Sequence, residues 1–139
     1  MKYTVAPRGK FRTLLDPATG APPAVRLFGC AVATATSSGG KSYVALAPPP
    51  GDQPGLAAAR AVDESIRAAQ KPLGFSPLRA GRLHVKVPAR GVRYETADGE
   101  ETPAWPLGAG ATVDVEIRLG AFGAFGYCWL LARVKPSAL

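Results

Sequence analysis

Strict alternation of apolar and polar residues marks the clearest segments of the chain. In GRLHVKVP (81–88), Leu83, Val85 and Val87 fall on one side and Arg82, His84 and Lys86 on the other, the period of a half-buried strand. ATVDVEIRL (111–119) repeats the pattern, with Val113, Val115, Ile117 and Leu119 inward and Asp114, Glu116 and Arg118 outward. LAAARAVDESIRAAQ (56–70) departs from period two. There Leu56, Ala59, Val62 and Ile66 recur at helical spacing, and Pro72 with Gly74 ends the run, which predicts one helix. AVRLFGCAVATAT (24–36) and KSYVALA (41–47) are extended, and SSGG between them predicts a β-hairpin. KYTVAP (2–7) reads as a first short strand or part of a basic arm over residues 1–23. GVRYET extends the 81–88 pattern toward a turn near ADGEETP, making 89–110 a long loop or an extra hairpin.

The final strand, about 125–135, carries the least settled pattern. Phe125, Tyr127, Trp129 and Leu131 occupy alternate positions and share a face with Arg133 and Lys135, while Cys128, Leu130, Ala132 and Val134 form an unbroken apolar face. The apolar face is expected to supply the core. The aromatic face, ending in two cations, is expected to be at least partly open, as a platform on which flat groups stack. The alternative is a second core layer, with the rings packed against the helix.

Short strands around a single helix, punctuated by 16 glycines and 14 prolines, indicate a mainly β fold: a small antiparallel β-barrel, OB-like, with one short helix between strands. If 2–7 is a strand, the order is three strands, the helix, then two or more strands. A chain of 139 residues suits one domain, 1–139, with a substantial core. No apolar run approaches the ~20 residues that span a bilayer, and the N-terminus lacks the apolar stretch of a secretory signal. The expectation is a soluble cytoplasmic protein without a membrane partner.

Charge sharpens the functional expectation. Seventeen Lys and Arg face ten Asp and Glu, a net charge of +7. The excess is segregated. Residues 1–47 hold Lys2, Arg8, Lys10, Arg12, Arg26 and Lys41 against Asp16, and residues 78–96 hold Arg79, Arg82, Lys86, Arg90 and Arg93 against Glu95. A basic face of this kind suits a polyanion. Arg82, His84 and Lys86 form a row able to track phosphates, with Arg79, Arg90 and Arg93 nearby; a solvated strand face is the plainer reading.

Other chemistry finds less support. ATSSGGKS (35–42) fits a relaxed phosphate-binding loop, but a strand follows it where that chemistry needs a helix. Cys30 and Cys128 lie far apart and His84 is the lone histidine, so neither a metal site nor a cofactor is expected; whether the cysteines meet is open. The acidic pairs Asp63/Glu64, Glu100/Glu101 and Asp114/Glu116 come with no nucleophile motif, and the expectation is a non-enzymatic protein.

KSYVALAPPPGD, the helix, and GATVDVEIRLGAFGAFGYCWLLARVKP together resemble phage-encoded single-stranded DNA-binding proteins of the OB-fold type. The resemblance rests on Gly110, Val113, Val115, Arg118, Phe122, Phe125, Gly126, Leu130, Leu131 and Val134, over the last third of the chain plus 41–70. It implies single-stranded DNA bound across the barrel during replication or recombination, with Tyr43, Phe122, Phe125, Tyr127 and Trp129 as stacking residues. The chain departs from that family in ending RVKPSAL, where many members carry an acidic tail. The resulting expectation is single-stranded nucleic acid, DNA favoured, bound with little sequence preference. Phosphates would be met by Lys41, Arg82, His84, Lys86, Arg90, Arg93, Arg118 and Arg133. Self-association and contacts with replication proteins stay open. The alternative is a protein-interaction module that presents the aromatic face to a partner protein.

Overall fold

Gly9 in the left-handed region (φ 59°) turns the chain between β1 (Thr4–Arg8) and β2 (Phe11–Leu15). The computed structural model describes residues 3–138. A second hairpin follows, β3 (Ala24–Ser38) and β4 (Lys41–Ala47). Its two-residue tip, Gly39-Gly40, has positive φ at both positions, the conformation that matches the twist of the flanking strands. SSGGK is therefore a hairpin end, and no helix follows Ser42.

The one helix among the described residues, α1 (Pro54–Ala69), starts on Pro54, whose missing N–H costs nothing at the first helical position. It buries Leu56, Ala59, Val62 and Ile66, the four residues that its spacing predicts. Gly55 lets it sit against β3, because a Cβ there would lie 1.7 Å from the Arg26 carbonyl oxygen. The remaining strands are β5 (Leu78–Arg79), β6 (Arg82–Val87), β7 (Arg93–Glu95), β8 (Glu101–Thr102), β9 (Thr112–Gly123) and β10 (Gly126–Pro136).

Five strands close a barrel in the order β9-β3-β4-β6-β10, with β10 returning to β9. The fold is OB-like. Neighbours are antiparallel except that β10 runs parallel to β6, through Trp129↔Val85, and farther along parallel to β7. The β1–β2 hairpin extends the sheet from β9, and β5 and β8 pair with β6 and β7. The helix follows the second barrel strand and not the third, because β1 lies outside the barrel. β1 has no buried residue with which to enter the core, whereas β6 buries Leu83 and Val85. α1 covers the barrel end where β10 begins, and residues 105–111 lie at the other end.

β9 and β6 point their side chains as the alternation predicts. β10 does not, and here the expectation of an open aromatic face is overturned. Trp129 is 0% exposed and Tyr127 1%, while Cys128 and Leu130 face outward and are only half-buried. Two bulges explain the inversion. Between Tyr127↔Phe122 and Trp129↔Leu119, β9 holds one extra residue, so Phe122 points inward with Leu119. Between Leu131↔Ile117 and Arg133↔Glu116 the extra residue is Ala132 on β10, which turns Arg133 outward and returns Val134 to the core. Arg133 therefore does not share a face with Trp129. Energetics agree: removing a Phe or Trp from a packed core costs about 3–5 kcal/mol, against about 1–3 kcal/mol for stacking one base.

Polar groups tie the helix and β7 to this core. The Tyr127 hydroxyl and the Ser76 hydroxyl both donate to Asp63 Oδ1 on α1, and Arg67 Nε donates to Oδ2 at 2.7 Å. Burial alone would raise the Asp63 carboxyl, but the donors from Tyr127, Arg67 and Ser76 prevail and hold it below its ordinary value. Buried Glu95 accepts from Arg93 and from Arg133 Nε (2.7 Å), clamping β7 to β10; against its burial, these two arginines keep its carboxyl low. Cys30 and Cys128 are both free thiols, and burial pushes Cys30 up to about 11.

Candidate nucleic-acid interface

Strand β6 organises the outer surface. Its inward residues fix the barrel, so Arg82, His84 and Lys86 must face out. Cross-strand register then sets their neighbours. Lys86 lies between Tyr43 of β4 and Leu130 of β10, and Leu130 in turn pairs with Arg118 of β9. His84 lies opposite Ala45. Over its six residues the strand offers a strip about 17 Å long.

At the lower end of the strip, the β5–β6 turn sets Arg79 opposite Arg82. The Arg79 guanidinium lies 4.2 Å over the Phe75 ring, and Phe75 meets His84 edge-on at 6.3 Å. Residues 74–76 are strapped to the β9–β10 turn: Gly74 N–H donates to the Ala124 carbonyl, Phe75 N–H to that of Phe125, and Tyr127 N–H to that of Phe75. Gly126 permits the strap. Its φ is +125°, and a Cβ would sit 2.1 Å from the Phe75 carbonyl oxygen. Phe125, 58% exposed, projects from this turn and packs edge-on against exposed Phe11 at 5.0 Å. At the upper end, Lys41 flanks the Gly39-Gly40 tip and exposed Tyr43 follows it.

Ion pairing separates the cations into two groups. Arg93 and Arg133 hold Glu95, Arg93 also reaches Glu101 at 3.1 Å, and Arg118 and Arg26 flank Glu116 at 3.7 and 3.3 Å. Among the described residues, no carboxylate pairs with Lys41, Arg79, Arg82, Lys86 or Arg90. Cations without a carboxylate partner thus line β6 and its ends, and others of the kind, Arg8, Lys10, Arg12, Lys71 and Lys135, lie elsewhere on the chain. Within this field His84 titrates below its ordinary 6.5, first through partial burial and then through the charges of Arg79 and Arg82. The imidazole is neutral at pH 7.

The residues expected to bind thus fall into three sets. Tyr43, Arg82, His84 and Lys86 come together on one outer strip, with Lys41 and Phe125 at its two ends and Arg90 exposed in the loop after β6. Arg93 and Arg133 lie in ion pairs away from it, and Arg118, 3.7 Å from Glu116, stands in the Lys86 row beyond Leu130. Phe122, Tyr127 and Trp129 form the barrel's interior and are no surface platform. The sequence pattern marks neither Phe75 nor Phe11, and places Arg79 only near the basic row. Phe75 stands alone in GFSPLR, a segment read only as a helix stop, so no periodicity marked it.

Two clefts border the strip. One, about 570 Å³, runs between Pro48–Pro50, the Arg60 side of α1 and the Arg79–Arg82 turn. The other, about 300 Å³, opens at the barrel end away from the helix, between the tip of the β3–β4 hairpin and Trp105. Among the described residues, no cluster of three His, Cys, Asp or Glu is placed to hold a metal ion, and no helix is long and apolar enough to cross a membrane. Compared with known proteins, the chain matches no protein family, no curated protein and no solved structure.

Proposed function

We propose that this protein is a binding module for single-stranded nucleic acid, not an enzyme, and that it holds the strand along the outward face of β4 and β6 with little sequence preference. The observation that carries this reading is the strip itself. Unpaired Lys41, Arg79, Arg82 and Lys86 alternate there with exposed Tyr43, Phe75 and Phe125, in the combination that backbone tracking and base stacking require. In OB folds the second and third strands, with the loops joining strands one to two and four to five, form the oligonucleotide-binding surface. Here those elements are β4, β6, the Gly39-Gly40 tip and the turn that carries Phe125. Cations supply affinity without reading sequence, and each stacked base adds about 1–3 kcal/mol. The sequence resemblance to phage single-stranded DNA-binding proteins favours DNA, and a role in replication or recombination.

The test is fluorescence anisotropy of a labelled oligo(dT) over a series of KCl concentrations, with duplex DNA as control. Single strands should bind preferentially, with affinity falling linearly in log[salt]. Arg82→Gln with Lys86→Gln should flatten the slope by about 1.4, at about 0.7 per phosphate contact. No binding at low salt, or an unaltered slope in the double variant, would sink the proposal. A second reading, a protein partner docked on the turn, is favoured by one feature, the exposed Phe11–Phe125 pair. Its mark is capture of a protein by a salt-insensitive contact that Phe125→Ser abolishes.

A further inference from the structure

We propose that the cleft at the open end of the barrel receives one unpaired nucleobase, stacked on Trp105; this rests on the nucleic-acid reading above. The β3–β4 hairpin is longer than the barrel it helps to build, and its distal part overhangs the opening. Register turns Ser37, Ser42 and Val44 toward the cleft, through Ser37↔Ser42 and Ala35↔Val44, and adds Val87 through Ser42↔Val87. The opposite wall is aromatic. Trp105 and Tyr94 meet edge-to-face at 5.7 Å and 71°, so one ring props the other in a fixed orientation.

Size and chemistry select the occupant. At about 300 Å³ the cleft lies at the small end of ligand sites, suited to one flat group and not to an extended chain. No ionised side chain lines it, so a phosphate has no partner inside. Apart from the Trp105 indole, its polar side chains are hydroxyls, among them Ser37 and Ser42, whose oxygens lie 3.2 Å apart. Hydroxyls rotate to donate or accept, so they serve the edge of any base, in keeping with sequence-tolerant binding. Access comes from the strip. Tyr43 lines the rim of the cleft and also neighbours Lys86 on the outer face, while Lys41 stands at the hairpin tip. Phosphates held by Lys41 and Lys86 would remain outside as one base turns in.

The chain's own fluorescence tests this. It has two tryptophans, and Trp129 is fully buried, so Trp105 is the one that reports on ligands. Oligo(dT) should quench the emission of the wild-type protein, and an abasic oligomer of equal length should bind without quenching. Trp105→Leu should weaken oligo(dT) about 5- to 150-fold, the equivalent of one stacked base, with the salt slope unchanged. Ser37→Ala with Ser42→Ala leaves the aromatic wall in place and should also weaken oligo(dT) relative to the abasic strand. Oligo(dT) that binds by anisotropy yet leaves the wild-type emission unchanged would overturn the cleft and spare the proposed function. Failure of oligo(dT) to bind at all would remove both.

Discussion

Replacing Tyr127 by Phe tests the orientation of β10 directly. The ring stays and only the hydroxyl that donates to Asp63 is lost, leaving the carboxylate with Ser76 and Arg67. A hydrogen bond to a charged group contributes about 1.5–3 kcal/mol. Unfolding entropy of about 2.1 cal/mol/K per residue gives a chain of this length roughly 290 cal/mol/K, so the melting temperature should fall by about 5–10 °C. The pH dependence has a definite sign. Asp63 titrates below its ordinary 3.8 in the folded protein, so the unfolded chain binds more protons across the interval between the two values. The resulting stability is fully present above the unfolded value and is lost as pH falls through the folded one. Because the Tyr127 hydroxyl supports the charged form, the gap between wild type and variant should be widest near neutrality and narrow in acid. Thermal unfolding followed by circular dichroism at pH 7 and in an acid series measures both effects. An unchanged melting temperature combined with weaker oligo(dT) binding would return Tyr127 to the surface and refute the bulged register.

Four further outcomes follow from the same geometry. Gly126→Ala should destabilise by more than the roughly 1–3 kcal/mol of backbone strain at such a φ, since its Cβ also meets the Phe75 carbonyl; faster hydrogen exchange at the Phe75 and Tyr127 amides would report the opened strap. Lowering the pH below the depressed His84 value should add one positive charge to the strip, steepening the salt slope by about 0.7, and His84→Gln should abolish that change. The same group should make folding less favourable as pH falls below 6.5, because the unfolded chain takes up the proton more readily. Arg133→Gln should lower the melting temperature and leave the salt slope intact, whereas Lys86→Gln should do the reverse; equal slopes in the two variants would contradict the division of the cations into paired and free.

Much of the barrel was legible because its strands bury one face each. Leu83, Val85, Val113, Val115, Ile117 and Leu119 announce their faces by simple alternation, and α1 by its four apolar residues. β10 misled because a bulge has no signature in a period-two pattern. Ala132 looks like any core residue, yet as the extra residue it separates the face of Trp129 from that of Arg133. Reading the alternation through it moves two aromatic rings, Tyr127 and Trp129, from the interior to the surface. The helix offset had a similar origin: 2–7 has strand-like composition, and only the absence of burial along β1 shows that it pairs outside the barrel.

The site was half legible for a different reason. Sequence reports the sum of charges but not which are neutralised. Arg93 and Arg82 look alike in the basic segment 78–96, yet Arg93 is bound to Glu95 and Glu101 while Arg82 has no carboxylate partner among the described residues. The distinction follows from position in the sheet. β7 lies beside β10 where Arg133 emerges, so a buried carboxylate there needs both arginines. β6 lies between β4 and β10, whose facing positions are Tyr43, Ala45 and Leu130 and supply no acid. A barrel whose carboxylates on β9 and β7 are held by Arg26, Arg118, Arg93 and Arg133 leaves Arg82 and Lys86 of β6 with no carboxylate partner among the described residues. A polyanion would complete that face where the protein does not.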